Sequence, residues 1–225
     1  MLPLFLLADS RLPSGGHGHS GGVEALVDRG LVRSVDDLAL FLAGRVSTGG
    51  RVMAAAAAAA CTLASGTPDW APWDAAVSAR IPSAALRTAS RAQGAALLRT
   101  VALAFPTPAV AALRALPRVH HPLILGAAAA AAGADPGQAA ALALHHLVGG
   151  AATAAVRLLG LDPLRVTAVT VGVARAADAV AADAAALATA AVAAGDPALL
   201  PTEGSPLTDV LAELHRASEA TLFAS

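Results

Sequence analysis

The sequence predicts an all-α protein, a single-domain helical bundle of about nine or ten helices over residues 1–225. Apolar residues, mostly Ala and Leu, recur at helical spacing between capping residues and terminating glycines. No segment shows sustained alternation of apolar and polar residues bounded by hairpin signals, and the densest β-branched stretch, residues 166–173, follows a good helix cap. With 225 residues and a hydrophobic fraction of 56%, the chain can bury a large core.

The N-terminal part begins with a short apolar helix over residues 2–8. A loop rich in glycine and histidine follows, and Ser20 is the expected N-cap of a helix that ends at Asp28. Ser34 begins the next helix, with Asp37 three residues later as its partner in a capping box.

The Gly49-Gly50 pair is expected to break that helix. Residues 51–65 form the next one, and it contains seven consecutive alanines, Ala54 to Ala60. Side chains this small predict that a neighbouring helix approaches closely. Residues 67–82 hold both tryptophans around a short helix.

The second half of the chain is predicted as a series of helices with clear starts. Ser83 caps a long helix over residues 83–104, a brief helix follows over 106–116, and Pro122 fits the first turn of a helix that ends at Gly133. Asp135, with Gln138 three residues later, begins a helix that reaches residue 159. The remaining predicted segments are a helix over residues 162–195, a Pro/Gly linker over 196–205 and a last helix over 206–220.

Composition excludes several classes of protein. The chain has no Lys, which excludes a P-loop phosphate-binding lysine and a Schiff-base lysine. Its net charge is -1 with no basic tail, so we expect no nucleic-acid partner. Cys61 is the one cysteine and follows an apolar run, as expected of an inert buried thiol. Charged residues make up only 14%, which favours a surface covered by partner proteins.

A membrane protein is an alternative that the sequence allows. Residues 136–156 carry no formal charge and are long enough to span a bilayer. The stretch is dominated by Ala, however, and contains His145 and His146, which favours a buried helix of a soluble bundle. The first nine residues lack the basic leader of a signal peptide, so a cytoplasmic location without membrane association is expected.

The loop over residues 10–24 is the most unusual part of the sequence. His17 and His19 are weak candidates for metal ligands, because two imidazoles alone do not make a site. A metal-dependent hydrolase built on the histidines is nevertheless the alternative function. The adjacent pairs His120-His121 and His145-His146 are each expected to turn one ring inward, since neighbouring helical residues diverge by about 100°. His215 is expected on a polar face of the last helix.

Two arginines of the helix over residues 83–104 share one face. Arg87 and Arg91 are four residues apart, which places them one turn from each other. They could bind the carboxylates of a partner, although a solvated helix face is the ordinary role of such a pair.

Four stretches, in order along the chain, resemble the urease accessory protein F family (UreF). The first is the loop from Leu12 to Glu24, with its Leu-Pro-Ser-Gly-Gly start. The second is the arginine-containing helix over residues 86–98, which ends in Gly-Ala-Ala-Leu-Leu. The third begins at His121-Pro122-Leu123-Ile124-Leu125-Gly126 and is similar to a long helical hairpin of the family that runs here through Arg157. The fourth is His215 with the tail Leu222-Phe223-Ala224-Ser225.

The resemblance implies an all-α chaperone that is not an enzyme and holds no stably bound cofactor. Family members bind UreD (also called UreH) and the GTPase UreG, often as homodimers, and this assembly delivers nickel to apo-urease. The Gly/His loop is expected to help form the surface that faces UreG. The residues expected to contact partners are Gly15, Gly16, His17, His19, Ser20, Glu24, Arg87, Arg91, His215, Leu222, Phe223 and Ser225.

Three positions depart from the family pattern. His17 stands where an aromatic residue is usual, and Thr221 stands where the tail usually has Arg. The segment Asp162-Pro163-Leu164-Arg165-Val166 replaces a Gln-x-Asp-x-Gln pattern. These departures bear on how this chain contacts UreG and how its tail docks.

Overall fold

The computed structural model describes residues 2–217 and 222–223, and of His17 the backbone alone. Eleven α-helical segments occupy this part, and it contains no strand, so the predicted all-α class is confirmed. The segments are α1 (Leu2–Ala8), α2 (Val23–Asp28), α3 (Val35–Arg45), α4 (Arg51–Leu63), α5 (Ala71–Ala79), α6 (Ala84–Ala104), α7 (Pro108–Leu113), α8 (His121–Ala131), α9 (Pro136–Leu159), α10 (Pro163–Ala194) and α11 (Pro206–Arg216).

Helices α3 and α4 form one kinked helix, so the described part has ten helices in all, within the predicted number. A π-helical turn, Val46–Gly50, joins them, and Thr48 lies outside the helical region with φ −114° and ψ −108°. The predicted break is therefore confirmed, but the residue that leaves helical geometry is Thr48, directly before the Gly49-Gly50 pair. A Cβ at Gly50 would lie 2.6 Å from the carbonyl oxygen of Arg45, so only glycine permits this tight continuation.

The alanine run of α4 forms the centre of the molecule. Every residue from Ala54 to Ala60 has no exposed surface, and α4 packs against α8, α9 and α10. The approach to α8 is the closest, because a Cβ at Gly126 would overlap the Ala57 carbonyl. The predicted role of the alanines is confirmed. Small side chains let the backbones come together, and the many short contacts that result replace the burial of large side chains.

The predicted helix starts follow their capping residues in most places. Ser34 with Asp37 and Asp135 with Gln138 form complete capping boxes. Ser83 accepts a hydrogen bond from the backbone N–H of Leu86, as an N-cap does. These side chains satisfy backbone N–H groups that have no partner inside the helix.

Two predicted boundaries are wrong, and the predicted linker has more structure than expected. Helix α2 has Gly22 as its N-cap, with φ +94°, rather than Ser20. The last helix ends at Arg216 and not at residue 220, and residues 218–220 lie outside the described part. The predicted linker over 196–205 contains the 3₁₀ turn Pro197–Leu199 and is bound to the bundle. Arg80 donates to the carbonyls of Ala198, Leu200 and Pro201 in this segment.

One hydrophobic cluster extends from Leu7 in α1 to Leu211 in α11. The assignment of residues 1–225 to a single domain stays a prediction.

Three helices of the described part are long and apolar enough to cross a bilayer by length and composition: Val35–Leu63, Pro136–Leu159 and Pro163–Ala194. In each helix, part of the apolar 18-residue stretch is buried in the bundle. The buried share is 28% in α10, 61% in Val35–Leu63 and 56% in Pro136–Leu159.

Candidate functional site

The Gly/His loop lies on the surface of α6. The hydroxyl of Thr100 in α6 donates a hydrogen bond to the carbonyl of Pro13 at 2.8 Å. Gly15 has φ +77°, and a Cβ there would lie 2.8 Å from the Cβ of Ala96, so this glycine is required by packing. Gly16 is exposed and has only the Ser14 hydroxyl within 4 Å of a Cβ, which leaves it as an open position at the loop tip.

Ser20 and Glu24 lie at the base of this loop and are buried. The Ser20 hydroxyl accepts from the backbone N–H groups of Gly22 and Glu24, at 3.3 and 3.4 Å, and so holds the start of α2. Their contacts are therefore inside the molecule. Any effect of these two residues on a partner passes through the loop and tail that they position.

Glu24 receives the C-terminal tail. Its carboxylate accepts from the backbone N–H groups of Leu222 and Phe223, at 2.6 and 3.0 Å. His215 of α11 has its Nε2 atom 3.2 Å from the same carboxylate and 3.4 Å from the Phe223 carbonyl. Arg157 of α9 lies 4.7 Å from the centre of the Phe223 ring, which is a cation–π distance.

His215 is therefore buried rather than on a polar face, and that prediction is wrong. It pairs with Glu24, because a buried carboxylate needs donors on several sides. Leu222 is 74% exposed while Phe223 is 4% exposed, so the two tail residues face opposite ways. Thr221 and Ser225 lie outside the described residues, and so do the predictions made for them.

Arg87 and Arg91 are engaged inside the chain. Arg87 donates to the carbonyls of Ile81 and Pro82, at 2.7 and 2.8 Å. Arg91 forms an ion pair with Asp74 of α5 at 2.8 Å and also donates to the Arg118 carbonyl. The two arginines join the connections before α6 and before α8 to the bundle. A role in binding a partner stays a prediction for both.

A polar network next to Arg91 was not predicted from the sequence. The ring of His120 has no exposed surface and lies between the hydroxyls of Ser78 and Ser90, at 2.8 and 3.0 Å. Its backbone N–H donates to Asp74 at 2.9 Å. Burial, together with the positive charge of Arg91, lowers the pKa of His120 to about 4. Three separate elements supply these side chains, so no local spacing could predict them.

Four histidines line a cavity of about 600 Å³ between the Gly/His loop, α8 and α9. The rings of His121 and His146 lie 6.0 Å apart, and those of His145 and His146 lie 5.9 Å apart. His145 and His146 donate to the Ala8 and Leu7 carbonyls at the end of α1. Burial lowers the pKa of His121 to about 3, and it also lowers the pKa values of His146 and His19.

The prediction that one ring of each pair faces inward is too narrow, because both His145 and His146 reach this cavity. Among the described side chains, no group of three or more His, Cys, Asp or Glu is arranged to hold a metal ion. The side chain of His17, one of the two candidate ligands, lies outside that set. His19 lines the cavity wall, where burial favours its neutral form.

Cys61 behaves as predicted. It is buried, its thiol donates to the Ala134 carbonyl at 3.4 Å, and burial raises its pKa to about 11. A thiol with a raised pKa has almost no thiolate at neutral pH and is a poor nucleophile.

Relatives of this chain share its whole length. A protein named urease accessory protein UreF from Mycobacterium sp. (strain JLS) is 46% identical over 222 residues, covering 99% of this chain and 97% of the relative. A sequence model of UreF matches residues 32–174. The chain belongs to the UreF family. A protein of the same name from Mycolicibacterium vanbaalenii is 40% identical, and one from Mycobacterium tuberculosis (strain H37Ra) is 36% identical, both over the same shares of the two chains.

The UreF model covers α3 to the first part of α10, which includes Arg87, Arg91 and the buried His120. The Gly/His loop and the tail lie outside residues 32–174, but the full-length relatives span them. The predicted resemblance is therefore confirmed at the level of the family.

Proposed function

We propose that this chain is a urease accessory chaperone that acts with UreD/UreH and the GTPase UreG on apo-urease. The observation that carries the proposal is the identity of up to 46%, over nearly the full length, with proteins named urease accessory protein UreF. The assembly assists nickel insertion and works in the cytoplasm. Nickel is the cargo of the complex in this proposal and not a resident cofactor of this chain.

The surface of the molecule supports a role in assembly. Helix α10 is 32 residues long, and most of its apolar 18-residue stretch is not buried in the bundle. Helix α11 exposes Leu207, Val210 and Leu214, each by about half of its surface. Exposed apolar residues on a chain with few charges are typical of surfaces that bind other proteins.

The relatives also support a non-enzymatic role, since their names describe accessory proteins and not urease. The alternative function, a histidine-based metal-dependent hydrolase, requires at least three ligands around one metal. The described side chains provide no such group. No observation on the described residues favours that alternative over the chaperone.

Size exclusion of the purified chain with UreD and UreG tests the proposal directly. We expect a co-migrating species that contains all three proteins. Separate elution at micromolar concentration, from proteins shown to be folded by circular dichroism, would contradict it. Light scattering on the same peak measures the mass and tests the proposed homodimer within the complex.

The exposed loop tip allows a sharper test of the surface that faces UreG. We expect Gly16→Trp to weaken the complex with UreG by about tenfold or more, because a large side chain there disturbs an interface without disturbing the fold. Gly16 suits this test better than Gly15, whose substitution would strain the loop itself.

Gly44→Trp on α3 is the matched control, since Gly44 is exposed and a Cβ there would meet nothing within 4 Å. Binding is measured by surface plasmon resonance against UreG loaded with nucleotide. Equal affinity of wild type and Gly16→Trp would remove the loop from the proposed interface while leaving the family assignment intact.

A further inference from the structure

The cavity that the four histidines line continues past them to a second, charged end. There it is bounded by the kink between α3 and α4, by residues 203–205 and by the tail residue Phe223. Arg45, Glu203 and Asp209 line this end. The Gly/His loop borders the cavity, but the charged end is a feature that the proposed chaperone role does not use.

The kink places Arg45 in the cavity. A Cβ at Gly49 would lie 3.3 Å from Nη1 of Arg45, so the guanidinium folds back along the π-helical turn. Among the described residues, Arg45 has no hydrogen bond and no ion pair within 4 Å. Burial lowers the pKa of Arg45, and the one opposing influence is the charge of Asp209. The half-buried guanidinium of Arg45 thus has five N–H donors that no described residue accepts from.

The charges around the cavity leave an excess of positive charge. Three lining arginines, Arg45, Arg80 and Arg157, stand against the lining carboxylates Asp9, Glu203 and Asp209. Asp9 is paired with Arg11, and Glu203 shares Arg51 with Asp183; neither of those arginines lines the cavity. With these neighbours counted, the groups around the cavity leave an excess of one positive charge, which favours an anion.

A buried acceptor adds a second requirement. The Oε2 atom of Glu203 is buried and has no hydrogen-bond partner among the described residues, while Oε1 binds Arg51. Leaving such an atom unpaired costs free energy, so a ligand that donates a hydrogen bond there gains affinity. Gln93 also lines the cavity, and its amide makes no hydrogen bond to the described residues.

We propose that this cavity binds a small organic carboxylate, with Arg45 as its principal charge partner. A planar guanidinium matches a carboxylate in bidentate geometry better than it matches a single point charge. A hydroxyl on the ligand would supply the donor that Glu203 lacks. The site does not depend on the chaperone role, and either could exist without the other.

Isothermal titration calorimetry at pH 7.5 tests this binding, at constant ionic strength set with sodium chloride. The probes are acetate, lactate and malate, with inorganic phosphate as the comparison anion. We expect saturable binding of at least one carboxylate, and lactate tighter than acetate because of its hydroxyl. Arg45→Gln should weaken that binding by about tenfold or more, since it removes charge-assisted hydrogen bonds.

Two further variants separate recognition from loss of structure. Asp209→Asn removes the unpaired negative charge and keeps an acceptor for Ser83, so we expect binding about threefold tighter. A variant that merely damaged the fold would not bind more tightly. Arg165→Gln on the exposed surface of α10 should bind as wild type does.

Four results would overturn the proposal. These are no saturable heat with any carboxylate, phosphate bound in preference to every carboxylate, unchanged binding in Arg45→Gln, and equal losses in Arg45→Gln and Arg165→Gln. Far-UV circular dichroism of each variant confirms its helix content. Co-migration with UreG in the same variants reports separately on the chaperone role.

Discussion

Glu24 joins the two ends of the chain. A carboxylate with 4% exposure would be costly if it had no partners, and here it has two backbone N–H groups and the ring of His215. The same contacts fix the direction of the tail, so that Phe223 turns inward under Arg157. The residue thus acts as an anchor for a segment that is far away in sequence.

Replacement of this anchor should release the tail. We expect Glu24→Ala to lower the free energy of unfolding by about 3 kcal/mol, because His215 then remains buried without its partner. Urea denaturation measures the loss, and digestion by carboxypeptidase should become faster as the tail leaves its site. Leu222→Ala is the control, since its side chain is 74% exposed, and it should change stability by less than about 0.5 kcal/mol. Slow digestion of Glu24→Ala, equal to that of wild type, would show that other contacts hold the tail.

At the scale of helices, the contact between α4 and α8 depends on the absence of side-chain atoms. Gly126 of α8 faces the backbone of α4, and a methyl group there would overlap the Ala57 carbonyl. Gly94 of α6 faces the connection before α8 in the same way, close to the carbonyl of Val119. Backbone is harder to displace than a side-chain tip, so these glycines set the helix spacing.

Two glycine-to-alanine substitutions should therefore have opposite effects. Gly126→Ala should destabilise the protein by about 3 kcal/mol or more, because α8 must move away from α4. Gly172 lies in the interior of α10, and a Cβ there would meet nothing within 4 Å. Gly172→Ala should therefore stabilise the protein by up to about 1 kcal/mol, because alanine restricts the unfolded chain.

Urea midpoints of the two variants measure both effects. Similar small changes would mean that α8 can shift without cost, and the close packing of the alanine run would then not limit the fold.

For the molecule as a whole, buried histidines make the stability depend on pH in the acid range. His120 and His121 have pKa values of about 4 and about 3, both lowered chiefly by burial. In the unfolded chain the same groups titrate near 6.5. Their neutral forms are therefore compatible with the fold above pH 6.5. As the pH falls from 6.5 towards those lowered values, the unfolded chain binds more protons and stability is lost.

His120→Gln should reduce this pH dependence. Between pH 7.5 and pH 5, we expect His120 to account for about 2 kcal/mol of the loss in wild type, and glutamine can keep one hydrogen bond but does not titrate. Urea denaturation at both pH values measures the difference for each protein. His145→Gln, the same substitution at an exposed position, is measured beside it for comparison. An unchanged slope in His120→Gln would assign the acid sensitivity to other groups.

Local signals in the sequence were sufficient for most of the secondary structure. Ser34 with Asp37 and Asp135 with Gln138 act within one helical turn, so their capping boxes could be predicted from spacing alone. The Gly49-Gly50 pair marked the break between α3 and α4 correctly, but the form of that break, a kink at Thr48, depends on tertiary contacts. Leu144 of α9 lies against Gly50 and the chain continues as a helix through the kink.

The candidate sites were harder to predict because their parts are distant in sequence. Glu24 meets Phe223 across 199 positions, and nothing near either residue marks the other as its partner. The cavity arginine, Arg45, lies in the last turn of α3, where a basic residue is common. Only the kink that follows turns it inward.

The sequence alone determined the helical class, most of the caps and the family, because helix periodicity, capping chemistry and motif order all act along the chain. Only the tertiary structure decided which glycines are packed, where the tail docks and that Arg45 lies in the cavity with no hydrogen bond to a described residue. Those outcomes depend on contacts between distant elements and on the burial that results, and burial sets both the pKa values and the cost of an unpaired polar group.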